Sequence, residues 1–263
     1  MTTPHSGTPE RSVVDRTLSI LSAFDRANRT LSLSDISRRS GLPVATVHRI
    51  VNKLHAWGAL ERSADGGYSI GLRLWETGCL ARRPASIAEV AHPHLVELHT
   101  QSSASATLAI RDGLESVGLS FVGGAGEHNV PFAEPGCRLP LHTTALGLVL
   151  LADCDESVLD EVCAAPLRAF TPATITSGVA LRRHLTKVRR EGYAVVHGTL
   201  TEGRGGIAVP VRDARGAVVA AVGAGGRVDL IRPVKLLHQV RAVADHVSRS
   251  VRACGWPLTQ VGA

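Results

Sequence analysis

The spacing of apolar residues between positions 31 and 57 predicts two short helices. Leu33 and Ile36 form the apolar side of the first helix, and Ser32 is placed to cap its start. Gly41 follows this helix, where the chain must turn and a positive φ is often required. In the second helix, Val44–Trp57, the apolar residues form one stripe: Val47, Ile50, Val51 and Leu54. The pattern therefore predicts a helix, a glycine turn and a second helix.

A short hairpin is predicted directly after the second helix. Residues 58–62 lead into one strand, Asp65-Gly66-Gly67 favours a tight turn, and Tyr68–Ile70 returns as the second strand. Two helices followed by such a hairpin are typical of a winged helix-turn-helix, which places its second helix in the major groove of DNA. Upstream, an apolar stripe predicts a helix that covers these two: Val13, Val14, Leu18, Ile20, Leu21 and Phe24.

The residues predicted to contact DNA follow from this arrangement. Five lie at the start or on the outward side of the second helix and are predicted to reach bases: Val44, Ala45, Thr46, Arg49 and Lys53. Three others are predicted to position the phosphate backbone: Ser34, Arg38 and Arg62. The local excess of Lys and Arg suits phosphate neutralisation. A small helical bundle with a solvated basic face is the alternative interpretation.

Beyond this unit, the chain alternates between helical and strand patterns. Helices are predicted over residues 70–83, 86–101, 143–152, 156–163, 177–190 and 233–253. Strands are predicted over residues 106–110, 116–122, 193–196, 207–211 and 217–224. The helix at 70–83 is expected to end before Pro84 and to link two domains, and residues 123–140 are expected to form a long loop. Helices flanking an antiparallel sheet indicate an α+β ligand-binding module.

Length and composition narrow the class of protein. A chain of 263 residues predicts two domains. The five cysteines are scattered without CxxC spacing, which fits reduced thiols in the cytoplasm. The longest apolar run, Ala145–Ala152, is too short to span a bilayer, so no membrane association is expected. An aromatic content of 3% argues against a platform that stacks single-stranded bases.

Three kinds of chemical site are weighed and set aside. Gly118–Val122 begins like a nucleophile elbow but lacks the closing glycine, and Gly223–Val228 departs from a dinucleotide fingerprint. His92, His94 and His99 lie close in sequence, but no zinc-type cysteine pairing joins them. We therefore expect no metal, no cofactor and no enzymatic activity.

Five motifs, in order along the chain, resemble those of one protein family. Val13–Leu21 and Gly41–Arg49 resemble an opening helix and a recognition helix. Three more resemble parts of an effector domain: Arg138–Gly147, Glu191–Val195 and Ile207–Asp213. Over about residues 12–255, the chain is similar to the IclR family of bacterial transcriptional regulators.

The resemblance implies an α+β protein with a mainly α winged helix-turn-helix. A linker helix joins it to a GAF-like α/β effector domain with an antiparallel sheet. The expected ranges are a loose tail at 1–10, the DNA-binding domain at 11–71, the linker at 72–85, the effector domain at 86–255 and a tail at 256–263. The resemblance also implies homodimers paired through the N-terminal part, and often homotetramers.

The resemblance further implies an effector pocket in the second domain. At its helix start, Thr144 and Ala145 can offer free N–H groups to a carboxylate. The chain departs from the family at Val196, where an acidic pair usually begins, and at Gly206, where a cysteine is frequent. It departs again at two positions where family members carry serines. The predicted effector contacts are Leu139, His142, Thr144, Ala145, Leu146, Val196, Gly206, Gly223 and Gly225.

Two interpretations of this pocket stay open. The departures leave space or bare backbone, which favours a bulkier or more apolar ligand than small oxoacids. A pocket that has lost ligand binding is the competing explanation. For single residues, the alternative is simple core packing, with His142 as a core histidine.

The sequence therefore predicts a DNA-binding regulator, and we take a repressor as the expectation. Its partners are a palindromic double-stranded operator, a second copy of the chain, and a small carboxylate or aromatic acid. The alternative is a GAF-like sensor or scaffold whose N-terminal unit mediates protein contacts.

Overall fold

The computed structural model describes residues 12–80, 82–123, 134–229, 231 and 233–253. The tails predicted at 1–10 and 256–263 lie outside these residues. The chain divides into two compact units, Met1–Arg82 and Arg83–Ala263. This division falls within the predicted linker, and the finer domain limits given above stay a prediction.

The N-terminal unit has the predicted order of helices and strands. Its elements are α1 (Val13–Leu21), α2 (Leu33–Ser40), α3 (Val44–Trp57), β1 (Leu60–Arg62), β2 (Tyr68–Ile70) and α4 (Leu72–Cys79). The two strands pair antiparallel, with Leu60 opposite Ile70. Side chains from all three first helices and from β1 form one core, which includes Ile20, Ile36, Val47, Val51 and Leu60.

The chain turns in this unit are set by local signals in the sequence. Ser32 caps α2, because its side chain accepts a hydrogen bond from the backbone N–H of Asp35. Gly41 ends α2 with a φ of 69°, and Gly58 ends α3 with a φ of 89°. Both glycines adopt the left-handed conformation that other residues rarely accept.

The prediction that the apolar stripe of α1 covers the other two helices is only partly right. Ile20 is fully buried, but Val13, Val14 and Leu18 are 62%, 65% and 54% exposed. A stripe shows that a helix is amphipathic without showing what packs on each part of it. Here only the end of α1 reaches the core.

The predicted linker helix is shorter than expected. Helix α4 ends at Cys79, and α5 (Arg82–Ser102) begins before Pro84 rather than after it. Proline is tolerated in the first turn of a helix, because its missing N–H would have no partner there. Pro84 therefore marks the start of a helix and not the end of one.

The C-terminal unit is built on one antiparallel sheet, as predicted. Its strands are β3 (Ser105–Asp112), β4 (Glu115–Val122), β5 (Arg138–Pro140), β6 (Ala194–His197), β7 (Arg204–Arg212) and β8 (Val218–Arg227). They lie in the order β5-β4-β3-β8-β7-β6, and every neighbouring pair is antiparallel. Strand β5 was not predicted, because it lies in the segment expected to be a loop.

Helices cover both faces of this sheet. Helices α5 and α9 (Pro233–Ala253) pack on one face, against strand residues that include Leu108, Ile207 and Val222. The other face carries α6 (Ala145–Ala152), α7 (Glu156–Ala164) and α8 (Gly178–Glu191). On that face the strands present small side chains, Ala109, Ala208 and Ala221.

All eight residues of α6 are buried. A short 3₁₀ turn over Leu141–Thr143 precedes the helix. Across the described residues, no helix combines the length and the apolar character needed to cross a membrane.

Candidate DNA interface and effector cavity

The outward side of α3 carries the residues predicted to reach bases. Val44, Ala45, Arg49 and Lys53 are exposed, and Thr46 is half-buried. Arg49 makes no hydrogen bond or ion pair with the described residues. Its guanidinium is therefore available to a partner outside the fold.

The residues predicted to contact phosphates are also exposed, but two of them have interactions within the unit. Arg38 pairs with Asp35 at 2.6 Å. A hydrogen bond from Ser32 and the nearby Arg38 lower the pKa of the Asp35 carboxyl. The Arg62 guanidinium lies 5.8 Å from the centre of the Tyr68 ring. Ser34 is exposed in the first turn of α2.

One basic residue of the helix-turn-helix is used inside the fold. The Nε of Arg39 donates to the carbonyl of Ala23 at 2.6 Å, and its guanidinium pairs with Asp25. A side-chain hydrogen bond from Asn28, together with the Arg39 charge, lowers the pKa of Asp25. Arg39 therefore links α2 to the segment that follows α1. Fewer basic side chains are available to bind DNA than the local number of Lys and Arg residues indicates.

The predicted DNA contacts leave out two further exposed side chains on α3. His48 lies between the predicted contacts, and its Nε2 is 3.3 Å from the Nδ2 of Asn52. Both side chains are exposed, and both can hydrogen-bond to bases or phosphates. The helical spacing places Asn52 on the same outward side as Arg49, and His48 lies next to it.

The C-terminal unit contains a cavity of about 110 Å³ between the sheet and the start of α6. Strands β3, β7 and β8 form its floor. The start of α6 and residues 199–201, which follow β6, complete the wall. The hydroxyl of Thr199 donates to the carbonyl of Thr143 at 2.8 Å, so this segment is held against the start of α6.

Most of the predicted effector contacts line this cavity. They are Thr144, Ala145, Leu146, Val196, Gly206, Gly223 and Gly225. Leu139 and His142 do not. Leu139 lies in β5 opposite Ser116, and His142 is buried with its Nε2 3.1 Å from the carbonyl oxygen of Arg168. The placement of His142 agrees with the alternative of a core histidine.

Several lining residues were missed because the strands extend further than predicted. Strand β7 begins at Arg204 rather than at residue 207, and β3 begins at Ser105. Ser105 and Arg204 are added in this way, and Thr199 and Thr201 belong to the loop after β6. Thr107 and Thr143 also line the cavity, although they lie inside elements that were predicted. Strands β3 and β8 are neighbours in the sheet but far apart in sequence, so no local pattern showed that their residues meet.

The glycines of the cavity differ in how much space they leave. A Cβ added at Gly223 would lie 3.0 Å from the Cδ2 of Leu146, so this glycine admits the Leu146 side chain. A Cβ added at Gly206 would meet nothing closer than the Ala224 carbonyl oxygen at 3.4 Å. Gly206 therefore accepts an added side chain more readily than Gly223.

The polar groups of the cavity suit an anion. Thr144 caps α6 by accepting from the N–H of Gly147 at 3.0 Å, while the N–H groups of Ala145 and Leu146 have no acceptor among the described residues. Arg204 is the one charged side chain among the described residues that line the cavity. Free N–H groups at a helix start and an arginine both favour a carboxylate.

Comparisons with known proteins cover both units of the chain. The family model described as the IclR helix-turn-helix domain matches residues 13–64, and the model described as the bacterial transcriptional regulator IclR C-terminal matches residues 80–249. The regulator XynR of Escherichia coli is 31% identical over 249 residues, which are 93% of this chain and 97% of XynR. The repressor AllR of Salmonella typhi is 30% identical over 88% of this chain and 86% of AllR.

Solved structures give the same result. An IclR homologue from Microbacterium hydrocarbonoxydans, complexed with 4-hydroxybenzoate, matches with a TM-score of 0.85 and 32% identity. The match covers 92% of this chain and all of that chain. A putative regulator from Rhodococcus sp. RHA1 matches with a TM-score of 0.79 and 28% identity, over 90% and 97% of the two chains. With a helix-turn-helix in one unit and an effector-binding domain in the other, the chain belongs to the IclR family of transcriptional regulators.

Proposed function

We propose that this protein is a cytoplasmic repressor that binds a palindromic operator as a homodimer or homotetramer and is controlled by a small aromatic acid. The observation that carries the proposal is the cavity at the start of α6. It combines free N–H groups, one arginine and a floor of small residues. A regulator with such a cavity has a place for an anionic effector.

The size and lining of the cavity favour an aromatic acid over a larger ligand. A carboxylate between the start of α6 and Arg204 would accept hydrogen bonds from N–H groups at one side and from a guanidinium at the other. The ring would then lie against Val196 and the glycine backbone of β7 and β8. The relative complexed with 4-hydroxybenzoate supports this class of ligand.

Repression and self-association rest on different observations. The AllR relatives are repressors, which supports the same direction of control here. Helices α1 and α4 carry five exposed apolar side chains: Val13, Val14, Leu18, Leu72 and Trp75. They support pairing of N-terminal units, because exposed apolar patches commonly mark protein interfaces. A paired unit would read two half-sites related by two-fold symmetry, about one helical turn of DNA or a multiple apart.

The proposal is tested by measuring DNA binding and its response to ligand. The purified protein is titrated by fluorescence anisotropy onto DNA from upstream of its own gene, at two salt concentrations, with unrelated DNA as control. We expect specific, salt-sensitive binding that weakens when 4-hydroxybenzoate is added. Equal affinity for both DNAs would contradict operator binding and favour a sensor or scaffold role. Specific operator binding that no added aromatic acid changes would contradict only the proposed class of effector.

Filling the cavity at Gly206 is expected to abolish the effector response. In Gly206→Val, the added Cβ lies at ordinary van der Waals distance from its neighbours, and the side chain occupies volume that the ligand needs. We expect effector affinity to fall at least about tenfold, which corresponds to ~1.4 kcal/mol, with operator affinity unchanged. Gly206→Ala is the graded control and should weaken the response less. Release from the operator at the wild-type effector concentration in Gly206→Val would contradict this placement of the ligand.

A further inference from the structure

The floor of the cavity is a flat patch of backbone with hydroxyl groups at one edge. Across four strands, Val196, Gly206, Gly225 and Ser105 lie in register, so the middle of this row carries no side chain. The next row on the same face consists of Ala194, Ala208, Gly223 and Thr107. A planar ring can lie on the row of Gly206 and Gly225, beside the Leu146 side chain that covers Gly223, with the side chains of β3 at its edge.

The two hydroxyl groups of β3 differ in their hydrogen bonds. Ser105 donates to the carbonyl of Gly225 at 2.8 Å, so its proton is already used. Thr107 is 6% exposed and lines the cavity, and its hydroxyl has no hydrogen-bond partner among the described residues. This hydroxyl lines the cavity and is bound by no group of the described residues, so it is free to hydrogen-bond a ligand that enters the cavity.

Thr107 and the positive charge of the cavity lie at opposite ends of it. Arg204, Gly206 and Ala208 alternate onto one face of β7, and Ala208 lies in the same row as Thr107. Four residues of strand separate the Arg204 level from the Thr107 level, about 13 Å along the strand. A small ring with polar groups at both ends bridges this span when the Arg204 side chain extends along β7 toward Ala208.

We propose that Thr107 is a specificity-determining residue that hydrogen-bonds a polar substituent of an aromatic acid. The acid group lies at the Arg204 end, the ring covers the glycine floor, and the substituent lies across the ring from the acid. This assignment rests on the proposed function, because it needs an aromatic acid in the cavity. It adds the side chain that separates a hydroxylated acid from an unsubstituted one.

The test compares two acids and three proteins. Isothermal titration of the full chain with 4-hydroxybenzoate and benzoate is performed on the wild type, Thr107→Val and Thr107→Ser. Valine keeps the shape of threonine and removes the hydroxyl, whereas serine keeps the hydroxyl. We expect the wild type to prefer 4-hydroxybenzoate by about tenfold, as one hydrogen bond in a buried site predicts. Thr107→Val should bind both acids with the affinity that the wild type has for benzoate, and Thr107→Ser should keep the preference.

Each other outcome overturns the assignment in a distinguishable way. If Thr107→Val weakens both acids equally, the residue contacts the acid group or acts only through the fold. If Thr107→Val keeps the preference, or the wild type has none, the substituent is not read by this hydroxyl. If the wild type binds neither acid, the proposed effector class is wrong and the role of Thr107 is lost with it. Melting temperatures of the three ligand-free proteins show whether a change in binding reflects a change in folding.

Discussion

Gly147→Ala is expected to destabilise the C-terminal unit and to remove its effector response. Gly147 lies in the first turn of α6, where an added Cβ would overlap the carbonyl oxygen of Leu141 and lie 2.8 Å from its carbonyl carbon. Both are backbone atoms, so no side-chain rotation relieves the overlap. Forcing one methyl group into a packed core costs ~1–3 kcal/mol. For a unit of this size, the melting temperature should fall by about 2 to 12 °C.

The loss should extend to the ligand, because α6 must move away from the 3₁₀ turn and its start lines the cavity. Calorimetry of the full chain and titration with 4-hydroxybenzoate measure the two effects. Gly78→Ala is the matched control, since Gly78 is also helical but has nothing within 4 Å of an added Cβ. That change should be neutral or stabilise its helix by up to ~1 kcal/mol. A Gly147→Ala protein that melts at the wild-type temperature would show that α6 tolerates the shift.

The elements with strong local signals were predictable from the sequence. Ser177 caps α8 and Gly192 ends it with a φ of 72°, as their residue types indicate. The hairpin of the N-terminal unit and the closing helix α9 were also found at the predicted positions. In each case a few neighbouring residues determine the backbone conformation, so the information is local.

Features set by distant contacts were not predictable in this way. Strand β5 is three residues long and ends in a proline, which a sheet edge tolerates, and among the described strands it pairs with β4 alone. The exposure of Val13 and Leu18 depends on which part of α1 meets the core. The spacing of apolar residues predicts neither this strand nor the exposure of these side chains.

The residues that line the candidate cavity also differ in whether the sequence alone could identify them. Thr144 and Gly206 were found through motifs, which record positions that a family uses. Thr107 and Arg204 were missed, since their roles depend on β3 lying beside β8 and on β7 starting before residue 207. Strand order joins residues more than a hundred positions apart, and periodicity carries no such information. The unpaired hydroxyl of Thr107 became visible only once its neighbours were known.

Arg49→Ala is expected to cause the largest loss of operator affinity from a single change on α3. The side chain is exposed and has no partner within the described residues, so its removal should leave folding intact. If Arg49 binds a guanine, the loss at the cognate base pair is ~1–3 kcal/mol, or about 5- to 150-fold, for each copy bound. A change of that base pair in the operator should then cause no further loss of affinity in the variant.

A phosphate-binding role for Arg49 would give a different result that the same titrations detect. Affinity would fall by a similar factor on every DNA sequence, and the slope of log K against log salt would drop by about 1 for each phosphate that is no longer neutralised. Arg183→Ala is the control for charge, because Arg183 is exposed on α8 in the other unit and likewise has no partner among the described residues. If Arg183→Ala weakens binding as much as Arg49→Ala, net charge drives the interaction and α3 is not the reading helix. If only Arg49→Ala weakens it, and most strongly on the cognate sequence, α3 reads the bases of the operator.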